Sequence, residues 1–351
     1  MQIKQESFLD ILGLADTQFV VPVFQRVYSW TKRQCDDLYD DVIEAAETGA
    51  SHFTGVLLFS ADPEAWGDFG RLEIIDGQQR ITTMTLLLIA LRERLAQDGV
   101  SLPAPAGDGS EGSEIAMGPE DITRRLLRAT EKDGAPCRLA LSHLDRMTMA
   151  ALVDGAELPE EHSERLVENL DAFRARMAAP GFDAGLLWRG LGRMQVITSL
   201  LTGDDNPLLI FESLNSKGMT LSVGDLVRNL LLFAGDEEDR ERLYERYWLP
   251  MEKEADDLEG FSMDQMVVAF LAAKYCTGDR VRGASDAYAV LKTHLADEYA
   301  GSFEPMLEEL RGFADRYLTD VTWRRKYDSL AKDWMNDRVM MSVSERRMFG
   351  S

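Results

Sequence analysis

The sequence predicts an α+β protein, with an α/β unit at the N-terminus and a larger, mostly helical region after it. Three observations predict this class. The apolar runs of strand length, Phe19–Val23, Thr54–Ser60 and Arg71–Ile75, fall within the first hundred residues. A polar junction, residues 76–80, leads from the last of them into a long apolar helix. From about residue 122 apolar residues recur mostly at helical spacing, with one late exception.

The run Phe19-Val20-Val21-Pro22-Val23 is expected to be an edge strand, because Pro22 has no N–H to give to a ladder. It continues into the aromatic and basic segment Phe24-Gln25-Arg26-Val27-Tyr28-Ser29-Trp30. The helix Gln34–Glu47 follows, with Cys35, Leu38, Val42 and Ala45 as its apolar stripe. Thr54–Ser60 and Arg71–Ile75 pair as a hairpin across the Pro, Trp, Gly and Asp residues of Ala61–Gly70. Asp76-Gly77-Gln78-Gln79-Arg80 reads as a tight five-residue loop. The next helix starts near Ile81 and runs through Leu86, Leu87, Leu88, Leu91 and Leu95.

Residues 98–121, rich in Pro, Ala, Gly, Ser and acids, cannot bury a core and are expected to be a mobile loop or linker. Amphipathic runs near Ile122–Glu131, Leu139–Val153 and Ser163–Met177 read as helices. In Arg193–Leu201, Met194, Val196 and Thr198 alternate with Gln195, Ile197 and Ser199. This strand-like period would bring the segment back to the first unit's sheet. A helix from about Pro207 is expected to stop at Gly218, with a turn carrying Asn215 and Lys217. Ser222 and Asp225 then resemble a capping box. Helices are expected at Arg240–Asp257, Ser262–Cys276, Ala284–Tyr299 and Phe303–Tyr317. The organisation read from this is an α/β unit at 1–97, a linker at 98–121, a helical region with one strand at 122–235 and a C-terminal helical region at 236–351.

With 351 residues, 45% of them hydrophobic, the chain can build two or three packing units. No run is long and apolar enough for a membrane span, and Met1–Glu6 lacks a signal-peptide layout. Cys35, Cys137 and Cys276 have no ligand spacing and are expected to be buried thiols, so the expectation is a cytoplasmic protein without a membrane partner. The net charge of −23 excludes a broadly basic nucleic-acid binder. DNA contact would need a focused patch, drawn from Arg26, Lys32 and Arg33, from Arg124, Arg125 and Arg128, or from Arg324, Arg325 and Lys326. The histidines His52, His143, His162 and His294 have no nuclease-like or metal-ligand spacing. No nuclease is therefore expected here, and the chain reads as the front half of a longer protein or as the partner of a separate nuclease.

The junction 76–80 carries the most chemistry. A loop leading into a helix aims backbone N–H groups and the positive end of the helix dipole at one point, which suits an anion. Gly77 permits close approach, Gln78 and Gln79 supply amides, and Arg80 offers a fork matched to phosphate. Asp76 could orient Arg80, hold a metal such as Mg²⁺ through phosphates, or position a water. The plainer reading is a structural turn with Arg80 in an ordinary ion pair. Tyr28 and Trp30 likewise have two readings. In an extended chain they share a face with Arg26 and could enclose an altered DNA group, or they pack the entrance of the following helix.

Three stretches taken in order, VPVFQRVYSW, IIDGQQRITTMTLLLIAL and IFESLNSKGMTLSVGDLVRNLLL, resemble the N-terminal domain of GmrSD-type modification-dependent restriction proteins. That group includes the phosphorothioate-sensing SspE. The resemblance spans roughly residues 8 to 233 and implies a ParB/sulfiredoxin-like fold for the N-terminal unit. It further implies NTP (GTP or ATP) binding and hydrolysis at the DGQQR loop, with Mg²⁺ as the expected metal. On this reading Asp76, Gln78, Gln79 and Arg80 are catalytic. Gly77, Arg80, Asn215, Lys217 and Arg228 bind nucleotide. Gln25, Arg26, Tyr28, Trp30 and Lys32 contact DNA. The expected partners are modified double-stranded DNA and a nuclease domain or subunit, with homo-oligomerisation left open. The alternative is a non-hydrolysing DNA-binding or assembly module of a restriction complex.

Overall fold

The structure is a computed structural model that describes residues 2–23, 25, 27–61, 70–103, 116–201, 223–232, 237–256, 262–275, 284–299 and 303–335. The chain packs as two units, Met1–Pro207 and Leu208–Ser351. The helical stretch from 122 to the strand near 200 thus belongs with the first unit, because its strand completes that unit's sheet.

The first unit runs β1 (Gln2–Ser7), α1 (Phe8–Leu12), β2 (Thr17–Val20), α2 (Lys32–Thr48), β3 (His52–Ala61), β4 (Gly70–Asp76) and α3 (Gln78–Asp98). It continues with α4 (Pro119–Ile122), a π turn at Thr123–Leu127, β5 (Leu139–Ala140), α5 (His143–Asp154), α6 (Glu164–Ala178), α7 (Ala184–Leu191) and β6 (Met194–Leu201). The six strands form one mixed sheet in the order β1-β6-β3-β4-β2-β5. The alternating segment becomes β6, antiparallel to β1 and parallel to β3. The predicted hairpin is β3 and β4, paired antiparallel.

One expectation needs correction. β2 is not an edge strand, since it pairs in parallel with both β4 and the two-residue β5. Pro22 lies beyond its end, and Val21 N–H still donates to Ala140 O at 2.8 Å, so the missing proline N–H breaks no ladder. The 98–121 segment is anchored at both described ends, where Leu102 and Met117 are buried and exchange backbone hydrogen bonds of 2.9 and 2.7 Å. Apolar side chains at these two places anchor the described ends of what composition marks as linker.

The predicted stripe of α2 is buried as expected, and a capping box between Thr31 and Gln34 starts the helix two residues earlier. α3 is the central element. Ile81 and Met84, together with the run from Leu86 to Leu91, are all buried, as in a helix enclosed on every side. Its buried Thr83 and Thr85 hydroxyls turn back to Gln79 O and Ile81 O, each at 2.8 Å. Cys35 and Cys137 are free thiols, and burial pushes both pKa values up. The second unit is helical, with helices at Val223–Leu232, Glu237–Leu243, Leu249–Asp256, Met263–Tyr275, Ala284–Tyr299, Glu304–Thr319 and Val321–Met335. No helix among the described residues is long and apolar enough to cross a membrane.

Candidate functional site

The junction between β4 and α3 is tighter than the predicted five-residue loop. Asp76 ends β4, Gly77 alone makes the turn, and Gln78, Gln79 and Arg80 form the first turn of α3. Gly77 does this with φ +103°, a region that glycine enters freely. A Cβ at this position would lie 2.3 Å from Leu57 Cδ2, so the packing also excludes a side chain. Polar residues at 78–80 resemble a loop in sequence because the apolar period begins only after them. Ile81 N–H donates to Gly77 O at 3.0 Å. Gly77, the residue before this first turn, has no side chain with which to cap it.

Arg80 and Asp76 lie side by side at this helix start. Arg80 Nη1 donates to Val56 O at 2.8 Å, and Nη2 lies 3.5 Å from Asp76 Oδ2. Their side chains remain 21% and 31% exposed, so both are held in place yet reachable from solvent.

The segment after β2 docks against this same turn. Gln79 Oε1 accepts from Ser29 N at 2.9 Å, Trp30 N at 3.1 Å and Ser29 Oγ at 3.4 Å, while its Nε2 faces Val27 O at 3.4 Å. Gln25 Nε2 donates to Ile75 O at 3.1 Å, tying the segment to the end of β4. Tyr28 N–H donates to Asp145 Oδ2 at 2.7 Å. A relay continues inside: Asn169 Nδ2 donates to Tyr28 Oη at 3.1 Å, Tyr28 Oη pairs with Thr83 Oγ1 at 2.7 Å, and Thr83 Oγ1 donates to Gln79 O at 2.8 Å. Asn169 also donates to Trp30 O at 2.7 Å. The structure therefore brings the first and second sequence motifs into one hydrogen-bonded unit.

This geometry corrects two expected roles. Tyr28 is 2% exposed, with its ring in the core, and offers no face for stacking on DNA. Burial, with Cys35 adding to it, raises its phenol pKa well above the ordinary value. Gln79 is 8% exposed and its amide oxygen already accepts from three groups on the 29–30 segment. It is placed to position that segment, whereas the resemblance implied a catalytic role for it. Gln78 is buried beside it. Trp30 is partly buried against the core.

The remaining candidates are dispersed. Lys32 is 69% exposed and pairs with Asp36 at 2.5 Å. Arg128 is committed to Asp154 and Ala135 O. In the second unit Arg228 is buried and bonded to Glu252 at 2.9 Å, an ion pair within its own helical unit. Arg26, Asn215 and Lys217 lie outside the described residues. Sequence reading missed Asp145, Asn169 and Gly55. Asn169 left a signal, as the one amide on the buried face of α6 that carries Leu166, Leu170 and Phe173. Replacing Gln79 with Leu would leave the Ser29 and Trp30 N–H groups without acceptors, at an expected cost of about 2–3 kcal/mol. Hydrogen exchange at those two amides should then accelerate, and unchanged protection would contradict the positioning role.

These features define a class: a mixed α/β unit whose polar strand-to-helix junction is braced by an aromatic segment. Residues 8–232 match the family model described as GmrSD restriction endonuclease, N-terminal domain. That is more than half of the chain, and the chain belongs to this family, which makes it a component of a restriction system. No curated protein matches the chain.

Proposed function

We propose that this chain is the nucleotide-hydrolysing, DNA-modification-sensing part of an anti-phage restriction system, acting in the cytoplasm with a nuclease domain or subunit. The single observation that carries the reading is the junction itself. The start of the long apolar helix α3 and the partly exposed Asp76–Arg80 pair meet at one point. Amide donors, a guanidinium and a carboxylate are what triphosphate recognition needs.

The residues fit a nucleotide with Mg²⁺. Asp76 is the carboxylate suited to the metal, with phosphate oxygens completing its shell, since no group of three or more potential ligands occurs among the described residues. Bound Mg²⁺ would neutralise phosphate charge. Arg80 would give its fork to the same phosphates, and the first-turn amides would orient them. Gln25 and Gln79 keep the segment leading to Lys32 and Arg33 fixed against this turn, so DNA held there would report directly to the nucleotide. A second reading, a non-hydrolysing DNA-binding or assembly module, is favoured by one observation: the Gln79 amide is taken up internally. Phosphate release from ATP and from GTP with Mg²⁺ separates the two. Turnover with either supports hydrolysis, and none with any nucleotide, with or without DNA, supports the second.

A further inference from the structure

β3 loses register against β6 between Phe53 and Gly55. Phe53 faces Gln195 and Gly55 faces Val196, so Thr54 is the extra residue of a bulge. Gly55 has φ +122° there, outside the range other residues readily adopt. A Cβ on it would lie 2.3 Å from Arg80 Nη1 and 3.2 Å from Arg80 Cζ. The guanidinium thus occupies the space where any other residue's side chain would begin. The next carbonyl along the bulge, Val56 O, accepts from Nη1 at 2.8 Å, while Asp76 Oδ2 flanks Nη2 at 3.5 Å.

We infer that Gly55 is a positioning residue for the nucleotide site: the bulge and the missing side chain seat the Arg80 fork at the start of α3, where it meets the phosphates of a nucleoside triphosphate. This rests on the reading of the β4–α3 junction as that site. The backbone alone needs a glycine here, but only a functional seat also requires that Arg80 be the group that fills the space. An arginine held by one carbonyl and one carboxylate keeps further N–H donors for an anion. A bulge beside such a group is a common way of aiming a side chain.

The test is a double-mutant cycle on the full chain with mant-ATP and mant-GTP as probes, each with Mg²⁺. Gly55→Ala is expected to weaken binding by about tenfold or more, because it displaces a charge-assisted donor. In an Arg80→Ala background the same change should add little further loss, since the displaced group is gone. Thermal melting of the nucleotide-free proteins gives a second readout: Gly55→Ala should cost less Tm in the Arg80→Ala background, where the clash is absent. Equal losses in both backgrounds, in binding and in Tm, would overturn the inference and leave a glycine needed by the backbone alone. Arg80→Lys leaves the bulge untouched and tests the seat without strain. It keeps the charge but not the fork, and should bind nearly as poorly as Arg80→Ala, so wild-type affinity in it would also overturn the inference. Absence of binding by the wild-type chain would instead overturn the nucleotide reading before Gly55 comes into question.

Discussion

Arg80→Ala is expected to lower NTP turnover by at least about a hundredfold, the scale on which removal of one preorganised charge-stabilising donor acts. The fold should survive. Arg80 lies at the edge of the core with one carbonyl bond and one ion pair, so its removal should cost only about 1–2 kcal/mol. The neighbouring contacts of Gln79 and Gly77 do not depend on it. Far-UV circular dichroism and a melting curve establish that the variant is folded, and phosphate release then gives the rate. Full turnover in a folded variant would remove Arg80 from the site.

Tyr28→Ala is expected to act on stability first. The ring is buried, and its hydroxyl links Asn169 to Thr83 with Cys35 at 3.4 Å. Truncating a buried aromatic costs about 3–5 kcal/mol, which urea unfolding would register directly. Tyr28→Phe keeps the ring and isolates the hydroxyl. Because burial raises the phenol's pKa, the folded state keeps its proton at pH values where the unfolded chain has lost it. The stabilisation is therefore full below the unfolded pKa of about 10 and is lost as pH rises above it. Cys35, raised in the same direction, contributes a similar loss from a lower starting pH. Tyr28→Phe should flatten the alkaline limb of the stability profile. A folded Tyr28→Ala of native stability that had lost its preference for modified DNA would return the ring to the DNA surface.

Much of this arrangement was legible in the sequence where a periodic pattern was long enough to be read. In the first half of β6, buried Met194 and Val196 alternate with partly exposed Gln195 and Ile197, and this period points the segment back to the sheet although the alternation breaks at Ser199. The stripe of α2 was legible for the same reason. Pro22 makes β2 read as an edge strand, and its outer neighbour, β5, has only two residues and no period to say otherwise. The first turn of α3 reads as loop because its three residues are polar, although two of them are buried. Alternation at 26–30 showed which side chains share a face but not which face turns inward. That is decided by Asn169 and Asp145, residues from α6 and α5 whose contacts no local pattern encodes. The Gly55 cradle was likewise hidden, since a glycine's φ and its neighbour through space depend on the bulge against β6.

The most direct measurement of the proposed role is NTP turnover by the full chain at fixed salt, alone and with unmodified, methylated, glucosylated and phosphorothioated duplexes of one sequence. Fixed salt holds the non-specific phosphate contribution constant. The first and second motifs share hydrogen bonds through Gln79 and Gln25, so occupancy of the proposed DNA segment should alter the proposed nucleotide site. The predicted result is turnover that changes severalfold with one modified duplex and not with its unmodified counterpart, and that disappears in Arg80→Ala. Turnover indifferent to every duplex, or unaffected by Arg80→Ala, would contradict it.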